Sequence, residues 1–291
     1  MSTPLASDPG PGLRFRARKR VMLRELLVQS LEQRWERHRK TRRRCRRDCS
    51  EESVHDLRVA NRRLVAVLTL LGKLHSFAAL AKAHRALKGE MHASGALRDT
   101  QVQLRLLKEI TGAGSKKIRR QLRADERRQS RCLVRKLKRT KLTKRMAALR
   151  QSIREMRETE DAEKRAEVRL RRELAENFRR LVRLQRLAQS DPRCLHRARI
   201  ALKKFRYVVE VLHSFLPAAS AHGLVRLHRC QTIMGEIHDL DLLLLRLEAN
   251  NLPRADCAGF HRRRARLRRS YQTAAAKYFS KVPPLSAGRA S

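Results

Sequence analysis

Two short stretches of this chain carry the same chemical groups at the same spacing. Residues 54–64 read VHDLRVANRRL and residues 195–205 read LHRARIALKKF. Each opens on a histidine, His55 or His196, with an arginine three positions on, Arg58 or Arg199. Two basic residues follow at the seventh and eighth positions, Arg62 and Arg63 in one copy, Lys203 and Lys204 in the other. On a helix, positions i, i+3 and i+7 share one face. His55, Arg58 and Arg62 therefore form one row, and His196, Arg199 and Lys203 form a second, with Arg206 beside it. Guanidinium forks donate to phosphate or carboxylate oxygens two at a time, and ammonium groups add mobile charge. Cations stacked on one helix face repel by about 0.2–0.5 kcal/mol per pair. Writing that arrangement twice suggests an anion on the row. A solvated helix face is the bland alternative, and common descent of the two copies would equally explain the repeated histidine.

The elements that must hold these rows read as helices. Val54, Leu57, Leu64 and Leu68 make an apolar stripe beside the first row, and Leu195, Ala198, Leu202, Phe205 and Val209 make one beside the second. Leu23, Leu27, Leu31 and Trp35 mark an earlier helix over about 16–44. Ser50 is an N-cap for a helix over about 51–71, with Glu51 and Glu52 in its first turn. Further helices are expected near 76–93 and 97–110, separated at Gly95, and over a very basic stretch at 116–157, after a loop at TGAGS (111–115). The second half repeats the order: 160–189, 193–215 opened by Asp191 and Pro192, 218–234 and 238–249 separated at Gly235, and 254–281. GALRDTQVQL (95–104) and GEIHDLDLLL (235–244) match at an offset of 140 residues. The expected architecture is all-α: two pseudo-symmetric antiparallel helical bundles from an internal duplication. The divisions are 15–157 and 158–281, with disordered tails at 1–14 and 282–291.

Composition narrows the partners. The 291 residues hold 71 Lys+Arg against 28 Asp+Glu, a formal charge of +43. Such a charge favours nucleic acid, an acidic membrane surface or a phosphate polymer as ligand. With 41% hydrophobic residues the chain has material for a core. Aromatic residues are only 4%, so platforms for stacking bases are scarce. The six cysteines are dispersed and, apart from Cys45 and Cys49, far apart; ordinary thiols are expected, with no metal site. The N-terminal segment lacks an apolar signal core and no run approaches a membrane span, so a cytoplasmic protein is expected.

The doubled His-x-x-Arg helix, together with the trailing LRD (97–99) and GEIHDLD (235–241) segments, resembles the CHAD domain, the conserved histidine α-helical domain, over roughly residues 15–281. That resemblance implies two helical bundles about a pseudo-twofold axis with a basic central channel. It also implies binding of inorganic polyphosphate and, for some members, association with polyphosphate granules. Carried onto this sequence, His55, Arg58, Arg62 and Arg63 would line one side of the channel, and His196, Arg199, Lys203, Lys204 and Arg206 the other. Lys88, Arg98, His228 and His238 are weaker matches, and Asp99 and Asp239 match as caps or as acidic partners that orient the cations. The chain departs from the pattern where Arg197 stands in place of the acid at Asp56 and where His238 replaces Arg98. The Glu-x-Glu-x-Lys signature of the companion triphosphatase-type CYTH domain is absent, so a stand-alone module is expected.

Three functions compete. A polyphosphate thread needs dense cations and no base-reading groups; histidines near it should have raised pKa values, and binding should weaken with salt. The basic stretch 116–145 could lie instead against nucleic-acid phosphates. Phosphohydrolysis wants clustered carboxylates or an activated nucleophile, which the sequence does not offer, so no enzyme and no cofactor are expected.

Overall fold

The computed structural model describes residues 23–75, 78–110, 113–155, 160–191, 194–212 and 219–279. Both expected tails, the 157/158 division and Pro192 lie outside these residues. Among the described residues there are nine α-helices, one 3-10 turn (Leu107–Glu109) and no strand. The helices are α1 (Leu23–Arg47), α2 (Glu51–Leu74), α3 (Ala78–Leu106), α4 (Ala113–Arg139), α5 (Leu142–Glu155), α6 (Glu160–Ser190), α7 (Cys194–Val211), α8 (Ala219–Ala249) and α9 (Arg254–Phe279).

The helix cap and the apolar stripes read from the sequence are present in the fold. The Ser50 hydroxyl accepts from the Ser53 amide and caps α2. All four stripe residues of α1 and all four of α2 are buried, as are Ala198, Leu202, Phe205 and Val209 on α7.

Four boundaries differ from expectation. α3 runs unbroken through Gly95, and α8 runs unbroken through Gly235. A glycine inside a helix costs only about 0.5–1 kcal/mol, which tertiary packing easily outweighs. At Gly95 the missing side chain also has a use: a Cβ there would sit 3.1 Å from Nη1 of Arg58. At Gly235 the corresponding space is open. The basic stretch 116–157 is two helices, interrupted at Thr140 and Lys141. Arg42 reaches across from α1 to donate to the Leu137 and Thr140 carbonyls, satisfying acceptors that the end of α4 leaves open. The TGAGS loop is correspondingly shorter, because α4 already begins at Ala113.

Successive helices pack in order, α1 through α4 and then α6 through α9, with α5 lying on α3. Between the two sets, α2 packs on α7, α3 on α8, and α1 and α2 on α6. The largest hydrophobic cluster draws side chains from both sets, among them Leu27, Leu64, Leu149, Leu181, Leu202 and Tyr271. A second joins the end of α3 and start of α4 to the end of α8 and start of α9.

One polar network is buried inside the first set. His38 Nε2 lies 2.8 Å from Asn61 Oδ1 and 3.4 Å from Glu90 Oε2, and Arg42 Nε is 3.1 Å from Glu90 Oε1. His38, Asn61 and Glu90 have no solvent exposure. The network fixes the phase of α2 one residue before Arg62 and of α3 one residue before Met91. Breaking it would strand a buried charge, at a cost of about 3–5 kcal/mol.

Candidate functional site

The contact of α2 with α7 and of α3 with α8 brings the two basic rows together. Arg58 and Arg62 of α2, with Met91, His92, Gly95, Ala96 and Asp99 of α3, line a cavity of about 420 Å³. Arg199 and Lys203 of α7 stand close enough to perturb these groups. Burial first, then Arg62, with Arg199 and Arg98 adding to it, lowers the pKa of Arg58 to about 10 despite the pull of Asp99. Lys203 is pushed down from 10.5 to about 6 by burial and by Arg62, Arg199 and Arg58. Burial also lowers Arg199, against the attraction of Asp239 and Asp99.

Asp99 and Asp239 are not helix caps, since both sit inside long helices. They are acids set among cations. Burial raises the pKa of each, while Arg58 pulls Asp99 down and Arg199 pulls Asp239 down. Asp99, from the first set, also feels Arg199 and Lys203 of the second, and Asp239 feels Arg98 of the first. The two rows therefore form one electrostatic unit, with four basic side chains (Arg58, Arg62, Arg199, Lys203) around two carboxylates.

The histidines sit around this unit. The rings of His196 and His238 are 5.6 Å apart and tilted by 43°. Burial, then Arg199, then His196, holds His238 down at about 4. His55 is lowered by partial burial and by Arg98. In the free protein these two rings favour the neutral form. The rise in histidine pKa expected from a phosphate thus describes the occupied site, starting from a depressed base. Arg98 is held at the edge by Glu51, at 2.6 Å, and Arg105 reaches the same carboxylate at 3.2 Å.

Five residues expected in the site stand elsewhere. Arg63 pairs with Glu210 at 2.7 Å. Arg206 donates to Gln231 Oε1 at 2.8 Å, lies 3.3 Å from His228 Nδ1 and 4.0 Å from the same Glu210. These three form a separate group, clamped by protein partners. Lys204 lines a small cavity of about 150 Å³ between α6 and α7 with Arg180, Arg197 and Asn177. Lys88 is exposed on α3 beside His84, whose pKa it helps to lower. In the other direction, His92 and Met91 line the cavity without having been expected there. Positions 92, 95 and 99 share one face of a continuous helix, a register lost once the helix is broken at Gly95.

The described residues hold no group of three or more His, Cys, Asp or Glu placed to bind a metal ion. The six cysteines are free. Among the described residues no helix is long and apolar enough to cross a membrane.

Comparison with known proteins places this geometry. The crystal structure of the CHAD domain from the plant Ricinus communis matches with a TM-score of 0.67, covering 97% of this chain and 98% of that one at 21% identity. No curated protein matches in sequence. The CHAD domain family model matches residues 29–248, most of the helical body and both basic rows, and the chain belongs to the CHAD domain family.

Proposed function

We propose that this protein binds inorganic polyphosphate in a basic channel running between α2 and α7, holding it without cleaving it. The observation that carries this reading is the convergence of Arg58, Arg62, Arg199 and Lys203 from two helix sets onto one half-buried unit with only two carboxylates. Desolvated cations in excess are costly in an empty protein, and a polyanion relieves that cost. The cavity lining contains no Phe, Tyr or Trp, which suits a ligand without bases to stack. Membership of the CHAD family, which is linked to polyphosphate binding, supports the same reading. In this view Arg58, Arg62, Arg199 and Lys203 grip the chain, His55, His92, His196 and His238 line its path, and Asp99 and Asp239 aim the guanidinium groups. Targeting to polyphosphate granules is the cellular role that would follow.

Isothermal titration with polyphosphates of defined length tests the reading directly. We expect saturable binding with a fixed number of phosphates per protein and a steep loss of affinity with salt. Absence of a saturable phase would sink it. Incubation with polyphosphate and magnesium or manganese should release no orthophosphate; release that scales with protein would make the chain a hydrolase instead.

A further inference from the structure

α4 carries a second cationic feature that the polyphosphate site does not use. Ser115, Ile118, Leu122, Leu133 and Leu137 are buried against the body. Leu133 and Leu137 join Leu57 and Leu97 in one cluster, so this face of α4 looks toward α2 and α3. The opposite face presents Lys116, Arg120, Arg123, Arg127, Arg131 and Lys138, all exposed. Their spacings of 4, 3, 4, 4 and 7 residues keep them on one side of the helix. No carboxylate pairs with any of the six among the described residues; the α4 acid Asp125 is engaged by Arg128 and Arg246. At 1.5 Å per residue the stripe is about 33 Å long.

We propose that this stripe is a second polyanion surface, separate from the cavity, that docks duplex nucleic acid through its phosphates without reading sequence. The match is one of length, shape and charge. One turn of duplex DNA is about 34 Å, and its major groove, about 12 Å wide, admits a helix with phosphates on both walls. A rigid row of unpaired cations on a single exposed helix suits a rigid array of phosphates. A flexible thread gains more from the cavity lined by Arg58 and Arg62, with Arg199 and Lys203 of α7 close by. A membrane surface fits poorly, because an interfacial helix needs an exposed apolar face and α4 exposes no large apolar side chain. The inference goes beyond the polyphosphate reading and does not rest on it. If both hold, the two ligands bind at once.

The experiment is fluorescence anisotropy with a labelled 20-base-pair DNA duplex across a salt series. The proteins are the wild type, an α4 variant combining Arg120→Gln, Arg123→Gln, Arg127→Gln and Arg131→Gln, a charge-keeping control with lysine at the same four positions, and a cavity variant combining Arg58→Ala and Arg199→Ala. Because the α4 side chains are exposed, the variants should fold, which circular dichroism checks. Loss of four phosphate contacts should flatten the log K against log salt slope by about 3 to 4, while the lysine control keeps it. The cavity variant should bind duplex as the wild type does, and saturating short polyphosphate should leave the duplex bound. An unchanged slope in the α4 variant, or displacement of the duplex by polyphosphate at one equivalent, would overturn the proposal. Neither result would bear on whether the cavity binds polyphosphate.

Discussion

Arg62 and Arg63 are neighbours in the chain and finish in opposite electrostatic company. Arg62 turns into the unit with Arg58, Arg199 and Lys203, where cations outnumber acids and burial and mutual repulsion lower the pKa values of Arg58, Arg199 and Lys203. Arg63, about 100° further round α2, meets Glu210, which also faces Arg206 of α7 and accepts at its backbone carbonyl from Arg34 of α1 at 3.4 Å. Both groups lie where α2 meets α7. One is neutralised from within and ties the helices together; the other holds more basic groups than acids in a half-buried setting. The Arg63 group carries its own counter-charge, whereas on the proposed reading the Arg58 group leaves it to be supplied by a ligand.

The largest test of that contrast is a pair of double variants. Arg58→Ala with Arg199→Ala should weaken polyphosphate binding about a hundredfold or more, since each lost charge-assisted contact is worth about 1.5–3 kcal/mol. Arg63→Ala with Arg206→Ala should change affinity less than about threefold while lowering Tm. Equal losses in titration would erase the distinction between the two groups.

Proton linkage sharpens it further. A bound anion raises the pKa of Lys203 from about 6, so protons are taken up on binding. The share of affinity that Lys203 contributes is then fully present below about pH 6 and is lost as pH rises above it, by up to about tenfold per unit. His238, at about 4 when free, extends the strengthening below pH 6. Lys203→Met should flatten the profile between pH 6 and 8. It should also stabilise the free fold at pH 7: with the folded pKa depressed from 10.5, stability falls as pH drops from about 10.5 to 6, and the variant lacks that loss. Calorimetric titration in buffers of different ionisation enthalpy reads the proton count, and a pH-independent wild type contradicts the linkage.

A smaller effect is expected at the clamp. Glu210→Gln should lower Tm by about 2–4 °C, for a loss of about 1 kcal/mol in a partly exposed cluster, and leave polyphosphate affinity unchanged or slightly raised. A large drop in affinity would place Glu210 in the binding machinery. The mildest is Gly95→Ala, which should stabilise α3 by about 0.5–1 kcal/mol. By crowding Nη1 of Arg58, it should weaken binding about two- to threefold. Thermal melts and titrations on the same sample separate the two.

What the sequence made legible was local. The α1, α2 and α7 stripes, the Ser50 cap and the two rows follow from spacing, and spacing survives folding. What escaped it was long-range. Nothing near Arg63 in the chain announces that Glu210 will meet it, nor that Arg206 and His228 will join the same group away from the cavity. His38 stands in RWERHRKTRRR, a context that reads as solvated, yet it is fully buried between Asn61 and Glu90. Gly95 read as punctuation because its use, room for a guanidinium from another helix, is invisible locally. With α3 cut there, His92 dropped out of the face that lines the cavity.

The main hydrophobic cluster takes side chains from α1 and α2 as well as from α6, α7, α8 and α9. Neither half of the chain owns a complete interior. Severed between α5 and α6, the protein should yield two fragments with exposed leucine faces, each insoluble alone and each the other's best solvent. Co-expressed fragments should copurify as a reassembled whole; fragments that fold and remain apart would mean that the interior is less shared than its packing indicates.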